Sequence, residues 1–317
     1  MHLLPSELSH SLALLGLRVI TFLGFKLEAN SSSEYNLLSI KFKNRLGLAA
    51  GMDKNGDFID ALASLGFGFL EIGTVTPYPQ KGNPKPRLFR LGSDKGLVNG
   101  MGFNNKGVDH LIKNLNNRKS KIPLGISIGK NFDTPNENAY QDYLFCLRGI
   151  YKYADYVAIN ISSPNTKNLR MLQLEGPLNV LLAILKEEQQ KLSKTHGYKP
   201  LFIKISPDNT EGDLQSLFGA ILKHGIDGLI CTNTTAEHNY HGGLGGLSGA
   251  PLFKKSSEIL SLARSSLGKN FPIIASGGVM TKDDYNKKIE AGASLVQIYT
   301  GFIFSGPSLI NDILNKQ

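Results

Sequence analysis

Asp155-Tyr156-Val157-Ala158-Ile159-Asn160-Ile161-Ser162-Ser163-Pro164-Asn165-Thr166-Lys167-Asn168-Leu169-Arg170 decides how this chain is read. It opens as an apolar run of buried-strand character, then breaks on a proline and a cluster of amides and hydroxyls. A strand that ends this way ejects polar side chains at its carboxyl end, where parallel α/β sheets bind ligands. Asn160 and Asn165 flank Ser163 and surround one potential base or nucleophile with donors and acceptors. Taken alone, the stretch is better explained as an ordinary Ser-Pro-Asn turn. The other strand ends change that balance.

Apolar strand-like runs recur at residues 46–50, 69–75, 123–128, 156–161, 201–205, 228–232, 272–276 and 295–300. Between most of them lie segments able to hold a helix, such as 58–65, 176–193, 213–224, 256–267 and 283–291. Eight strands alternating with helices within a chain of 317 residues predict one α/β domain, a (β/α)8 TIM barrel. The insertion at 76–104 is longer than a crossover needs, and 87–91 and 96–99 read as short extra strands over the mouth. Residues 35–317 are taken as the catalytic barrel and 1–34 as a small N-terminal helical extension with a polar linker at 28–34.

That extension is unusually apolar. Leu8, Leu12, Leu15, Val19 and Phe22 follow the helical period over residues 5–25, and Leu14, Leu17, Ile20 and Leu23 widen the face. Arg18 interrupts it, and the apolar length falls short of the roughly 20 residues a spanning helix needs. With neither a basic leader nor a small-residue cleavage site, it does not read as a signal peptide. A helix packed on the barrel and an amphipathic segment dipping into a membrane fit it equally. The net charge of +9 comes from scattered lysines without a basic-aromatic stripe, which argues against nucleic acid. The two cysteines, Cys146 and Cys231, have no histidines at ligand spacing, so neither a disulfide framework nor a metal site is expected.

The strand ends carry the functional signal. Strand one ends in Ala49-Ala50-Gly51-Met52-Asp53-Lys54, strand two in Gly73-Thr74, strand three in Ser127 and strand six in Thr232-Asn233-Thr234-Thr235. Lys204 interrupts the apolar strand 201–205, and a lysine there needs a partner for its charge. Gly277-Gly278 follows strand seven and Tyr299-Thr300-Gly301 strand eight, the usual place for a phosphate in such barrels. The glycine-rich 242–249 could add bare amides. No dinucleotide fingerprint opens a strand–turn–helix unit, so flavin mononucleotide (FMN) suits the pattern better than a nicotinamide.

At this point the runs 47–56 (Gly-Leu-Ala-Ala-Gly-Met-Asp-Lys-Asn-Gly), 71–77, 160–165, 232–235, 246–249 and 291–301 closely resemble the membrane-associated, quinone-dependent dihydroorotate dehydrogenases, from about Leu46 to the end of the chain. The resemblance implies an FMN enzyme of pyrimidine synthesis that oxidises dihydroorotate to orotate and reduces a membrane quinone. It implies Ser163 as the base, where soluble relatives carry cysteine. Lys54, Asn99, Gly100, Met101, Gly102, Phe103, Asn160, Asn165, Asn233 and Thr234 would hold substrate. Ala50, Gly51, Lys54, Thr74, Ser127, Asn160, Lys204, Thr232, Ser248, Gly249, Gly277, Gly278, Tyr299 and Thr300 would hold FMN, with Lys204 stabilising negative charge on the reduced ring. The first helix would form the quinone tunnel and rest on the cytoplasmic face of the cell membrane, with Arg90 touching the quinone head. The family's helical pair would begin somewhat earlier than Met1.

Three positions depart from the family pattern: Ser127 replaces an asparagine, Gly100 an arginine, and Ala275 a glycine. Two alternatives compete. A tRNA dihydrouridine synthase would show an active-site cysteine and an RNA-binding helical domain, and neither is visible. A non-catalytic flavin- or phosphate-binding barrel would be expected to lose Ser163 or Lys54, and both are present.

Overall fold

Strands rich in valine, isoleucine and leucine, buried on both faces, are what a parallel sheet wrapped by helices requires. The computed structural model describes residues 4–24 and 33–315. In it β1 (Leu46–Leu48), β2 (Phe69–Val75), β3 (Leu124–Ile128), β4 (Tyr156–Asn160), β5 (Leu201–Ile205), β6 (Gly228–Cys231), β7 (Ile273–Ser276) and β8 (Leu295–Ile298) form a closed barrel. They pair in chain order, and β8 returns to β1 through Val296↔Leu46 and Ile298↔Leu48. Every residue in all eight strands is buried.

The period of two along each strand sorts the interior into layers. Phe69, Tyr156, Phe202, Ile230, Ile274 and Leu295 point inward at the floor and pack with Phe42. Two residues further along, Glu71, Ser127, Lys204 and Gln297 occupy the next layer. The barrel is therefore apolar below and polar in the middle. Gly125 leaves room for its neighbour, since a Cβ there would lie 2.1 Å from the Tyr156 ring. The floor is closed by an antiparallel hairpin, Tyr35–Leu37 with Ile40–Phe42, which the sequence does not announce.

The helices arise where expected, with ends set by caps. Thr210 and Thr281 each form a capping box, with Asp213 and Asp284, and start helices Glu211–Lys223 and Lys282–Glu290. Cys146 and Cys231 are free and buried. The insertion does form strands Leu88–Leu91 and Gly96–Asn99. One correction concerns the glycine-rich stretch: Gly246–Gly249 is the third strand of that sheet, with Gly246 opposite Asn99 and Gly249 opposite Gly96. Only its end reaches the mouth.

The first helix, α1 (Ser6–Phe22), packs on helix Ile59–Ala63 and strand Leu88–Leu91. It is fixed by the Arg87 guanidinium, which forks onto Glu7 at 2.9 and 3.1 Å. That pairing holds the Glu7 carboxyl below its usual range. Leu14 is buried, whereas Leu8, Leu12, Leu15, Val19 and Phe22 form an exposed row. Residues 25–32, and with them most of the expected linker, lie outside the described residues.

Candidate active site

Past the last ladder pairs the strand ends converge on one cavity at the carboxyl mouth. Its wall holds Ser163 with Lys54, Asn99, Met101, Gly102, Phe103, Asn160, Asn165, Asn233 and Thr234. Ala50, Gly51, Thr74, Lys204, Thr232, Ser248, Gly249, Gly277, Gly278, Tyr299 and Thr300 also line it. Two of the expected site residues are not on the wall. Ser127 belongs to the polar layer below and is fully buried, with Oγ 2.9 Å from Thr74 Oγ1. Gly100 has no side chain to offer, its N–H donates to Arg87 O at 2.7 Å, and its carbonyl accepts from Asn83 at 2.9 Å.

Four asparagines frame the wall and hold one another. Asn165 Nδ2 donates to Asn99 Oδ1 at 3.0 Å, and Asn233 Nδ2 donates to Asn160 Oδ1 at 3.3 Å and Ser162 Oγ at 3.1 Å. Asn160 Nδ2 donates to Thr74 Oγ1 at 2.8 Å. Ser163 Oγ accepts from the Asn165 N–H at 3.3 Å. Three residues on, Thr166 Oγ1 is buried without a protein partner, a third hydroxyl in this loop beside those of Ser162 and Ser163, and one that sequence reasoning passed over. Arg170 ties the loop down, pairing with Asp208 at 2.8 Å and donating to the carbonyls of Ser162 and Thr234.

The lysine inside β5 finds its partner across the barrel. Lys204 Nζ lies 3.4 Å from Glu71 Oε1, and both side chains are almost fully buried. Glu71 Oε2 also accepts from Tyr156 OH at 2.9 Å and Gln297 Nε2 at 2.7 Å. Gln297 faces the cavity, and its Oε1 is buried and unpartnered. Neither Glu71 nor Gln297 was singled out from sequence. The other cation, Lys54, donates to Gly51 O at 3.2 Å, and burial with repulsion from Arg87 lowers its pKa to about 8.

A second cavity runs between α1 and the barrel mouth and shares Gly51, Lys54, Met101 and Tyr299 with the first. His10, Leu14, Leu17, Ile20, Phe302 and Ile303 line it, with Arg90, whose Nη1 donates to Leu4 O at 3.1 Å. Burial and the charge of Lys54 lower the His10 pKa to about 4, so its imidazole is neutral near pH 7.

A family model described as dihydroorotate dehydrogenase matches residues 32–316. The chain belongs to this family. It is 51% identical to a dihydroorotate dehydrogenase (quinone) of Azoarcus sp. (strain BH72), over 98% of this chain and 94% of that one. A relative of the same name from Methylobacillus flagellatus is 53% identical, over 87% and 84% of the two chains. The crystal structure of DHODH from Eimeria tenella in complex with ferulenol superposes with a TM-score of 0.89 at 36% identity, covering 97% of this chain and 89% of that one.

At the position where the dihydroorotate dehydrogenase pattern has an asparagine, the short Ser127 side chain stops at Thr74, whereas Lys204 and Gln297 of the same layer reach the cavity. The buried pair is the more consequential feature. Removing one member of a buried pair leaves an uncompensated charge, at a cost of about 3–5 kcal/mol. Glu71→Leu is therefore expected to lower the calorimetric melting temperature well beyond the effect of an ordinary core substitution. An unchanged melting temperature would show that Lys204 does not depend on Glu71.

Proposed function

We propose that the protein oxidises dihydroorotate to orotate with FMN as its flavin and delivers the electrons to a membrane quinone. The observation that carries this reading is the wall that Ser163 shares with two asparagine pairs, Asn165–Asn99 and Asn233–Asn160, and with Lys54 and Lys204. Several neutral amides orient a planar, carboxylated ring without adding a competing charge, and Lys54 supplies the cation for its carboxylate. The names of the bacterial relatives support both substrate and acceptor.

The wall also fits an FMN. Gly249 and Gly278 admit no side chain, since a Cβ would lie 2.3 Å from Lys95 O or Phe253 Cα, and both hold positive φ. The orphaned Gln297 Oε1 and the Lys204 ammonium suit the polar edge of an isoalloxazine, and the glycine end suits a phosphate. Bound there, FMN supplies the hydride acceptor for one ring carbon of the substrate. Ser163 acts as base at the neighbouring carbon, receiving its proton on Oγ as its own O–H proton passes on. A serine hydroxyl is a weak base alone, and Thr166 offers a second hydroxyl to take part in that relay. Lys204 holds a positive charge where negative charge develops, and Glu71 keeps the lysine in place.

The second cavity is the proposed quinone passage, with Arg90 and neutral His10 as polar contacts and the shared wall as the place of electron transfer. The exposed row Leu8, Leu12, Leu15, Val19 and Phe22 is the proposed contact with the cytoplasmic face of the membrane. No helix among the described residues is long and apolar enough to cross one.

Ser163→Ala is expected to keep its flavin and slow anaerobic flavin reduction by dihydroorotate about 10²–10⁴-fold in stopped-flow absorbance. Reduction at the wild-type rate would remove Ser163 as the base. The double variant Leu12→Asp, Leu15→Asp is expected to lose cosedimentation with anionic phospholipid vesicles. Undiminished binding would exclude α1 as the membrane contact.

A further inference from the structure

Lys288 sits in Lys282-Asp283-Asp284-Tyr285-Asn286-Lys287-Lys288, which reads as the solvated face of a charged helix. Lys287 obeys that reading and pairs with Asp283 at the surface. Lys288 does not. It is 0% exposed, its Nζ donates to Ser256 Oγ at 2.7 Å, and it lies 4.8 Å from the centre of the Phe253 ring. No carboxylate among the described residues forms an ion pair with it. One hydroxyl and one ring face do not neutralise a buried ammonium, so the group is either discharged or awaiting a counter-charge.

Its position says which counter-charge. Ser256 Oγ lies 2.9 Å from the carbonyl of Gly277, and a Cβ on Gly278 would meet Phe253 Cα at 2.3 Å. Lys288 therefore stands directly behind the Gly277–Gly278 turn, on the side away from the cavity. The cavity side of that end is formed by Gly249, Gly277, Gly278, Thr300 and Gly301. Among the described residues the only charged ones on the wall are Lys54 and Lys204, which belong to the ends of β1 and β5. The proposed phosphate end thus has backbone and the Thr300 hydroxyl but no charge in front, and one buried amine behind.

The groups facing Lys288 do not supply the missing charge. Cys231 on β6 is a thiol that burial pushes far above its ordinary range. Asp284, one turn earlier, is engaged in capping Met280 and Thr281. Arg264, on the helix Phe253–Leu267, is itself a cation bound to the Gly292 and Gly268 carbonyls. β8 brings only Leu295–Ile298, without a titratable group, and Asp312 on the last helix is exposed. Burial lowers the Lys288 amine to about 7, opposed only weakly by Cys231 and Asp284.

We propose that Lys288 is a positioning residue for the flavin's phosphate, whose binding draws a proton onto this buried amine and so supplies the charge that the glycine cradle lacks. The proposal rests on the flavin reading above. Its sign follows from linkage. The complex favours protonated Lys288, whereas the free protein loses that proton as pH rises through about 7. FMN affinity is therefore unaffected by this group below pH 7 and falls above it, by at most tenfold per pH unit. A phosphate monoester, with its second pKa near 6, keeps a constant charge in that window. Riboflavin, which lacks the phosphate, feels none of this.

The test is flavin release from the full-length protein on dilution, followed by fluorescence between pH 6.5 and 9.5, with FMN and with riboflavin exchanged in its place. The wild type is expected to bind FMN more weakly as pH rises above 7 and riboflavin independently of pH. Lys288→Met is expected to raise the FMN dissociation constant about tenfold at pH 7, flatten its pH dependence and leave riboflavin within twofold. Ser256→Ala, which keeps the amine, is expected to retain the pH dependence. Equal losses for FMN and riboflavin in Lys288→Met would assign Lys288 a purely structural part and overturn the proposal. Should that variant fail to fold, a wild-type FMN affinity flat across pH 7–9 overturns it equally. A chain that binds neither flavin overturns the flavin reading, and this proposal with it.

Discussion

The buried pair of Lys204 and Glu71 is the constraint on which the rest of the site depends. Both side chains are almost fully buried, so removing either would leave the other as an uncompensated buried charge. The pair sits one layer above an apolar floor of Phe69, Tyr156, Phe202 and Leu295, reached by a single step of the two-residue strand period. The strand geometry that buries a core thus also raises a fixed cation to the base of the cavity. Tyr156 and Gln297, donating to the same carboxylate, make the arrangement rigid. A site meant to stabilise charge in a reaction benefits from that rigidity, since nothing has to reorganise when the charge appears.

The second organising feature is a shared wall. Gly51, Lys54, Met101 and Tyr299 border both the asparagine-lined cavity and the apolar passage under α1. Two partners that never meet can exchange electrons through a group held at such a wall, and each side keeps its own chemistry. One side is rich in amides; the other sets leucine, isoleucine and phenylalanine beside His10, Arg90 and a few further polar groups. The fork between Arg87 and Glu7 joins α1 to the barrel's insertion, so the passage exists only where that helix is docked.

The barrel and the strand-end part of the cavity wall were legible in the sequence because both rest on local signals, whereas Asn99, Met101, Gly102 and Phe103 came only with the resemblance to the family. Apolar runs of strand length and polar residues at their carboxyl ends need no knowledge of the fold. What escaped depends on contacts between distant residues. Ser127 and Gly100 follow the chain pattern of the site, yet the short side chain of one ends at Thr74 and the other presents only engaged backbone. Glu71 gives no sign in its own strand that Lys204, 133 residues later, will meet it. Lys288 is hidden for the opposite reason, since the charged run Lys282, Asp283, Asp284 and Lys287 before it reads as a solvated face, while Tyr285 and Ile289 turn the other face of the helix to the core. The hairpin at 35–42 is built from strands of three residues, too short for any periodicity to show.

The most direct test of the account is an anaerobic titration of the purified yellow protein with dihydroorotate, following its visible flavin absorption with no quinone present. The account predicts stoichiometric bleaching, one dihydroorotate for each flavin, with orotate as product. A flavin band unchanged by excess dihydroorotate would contradict it.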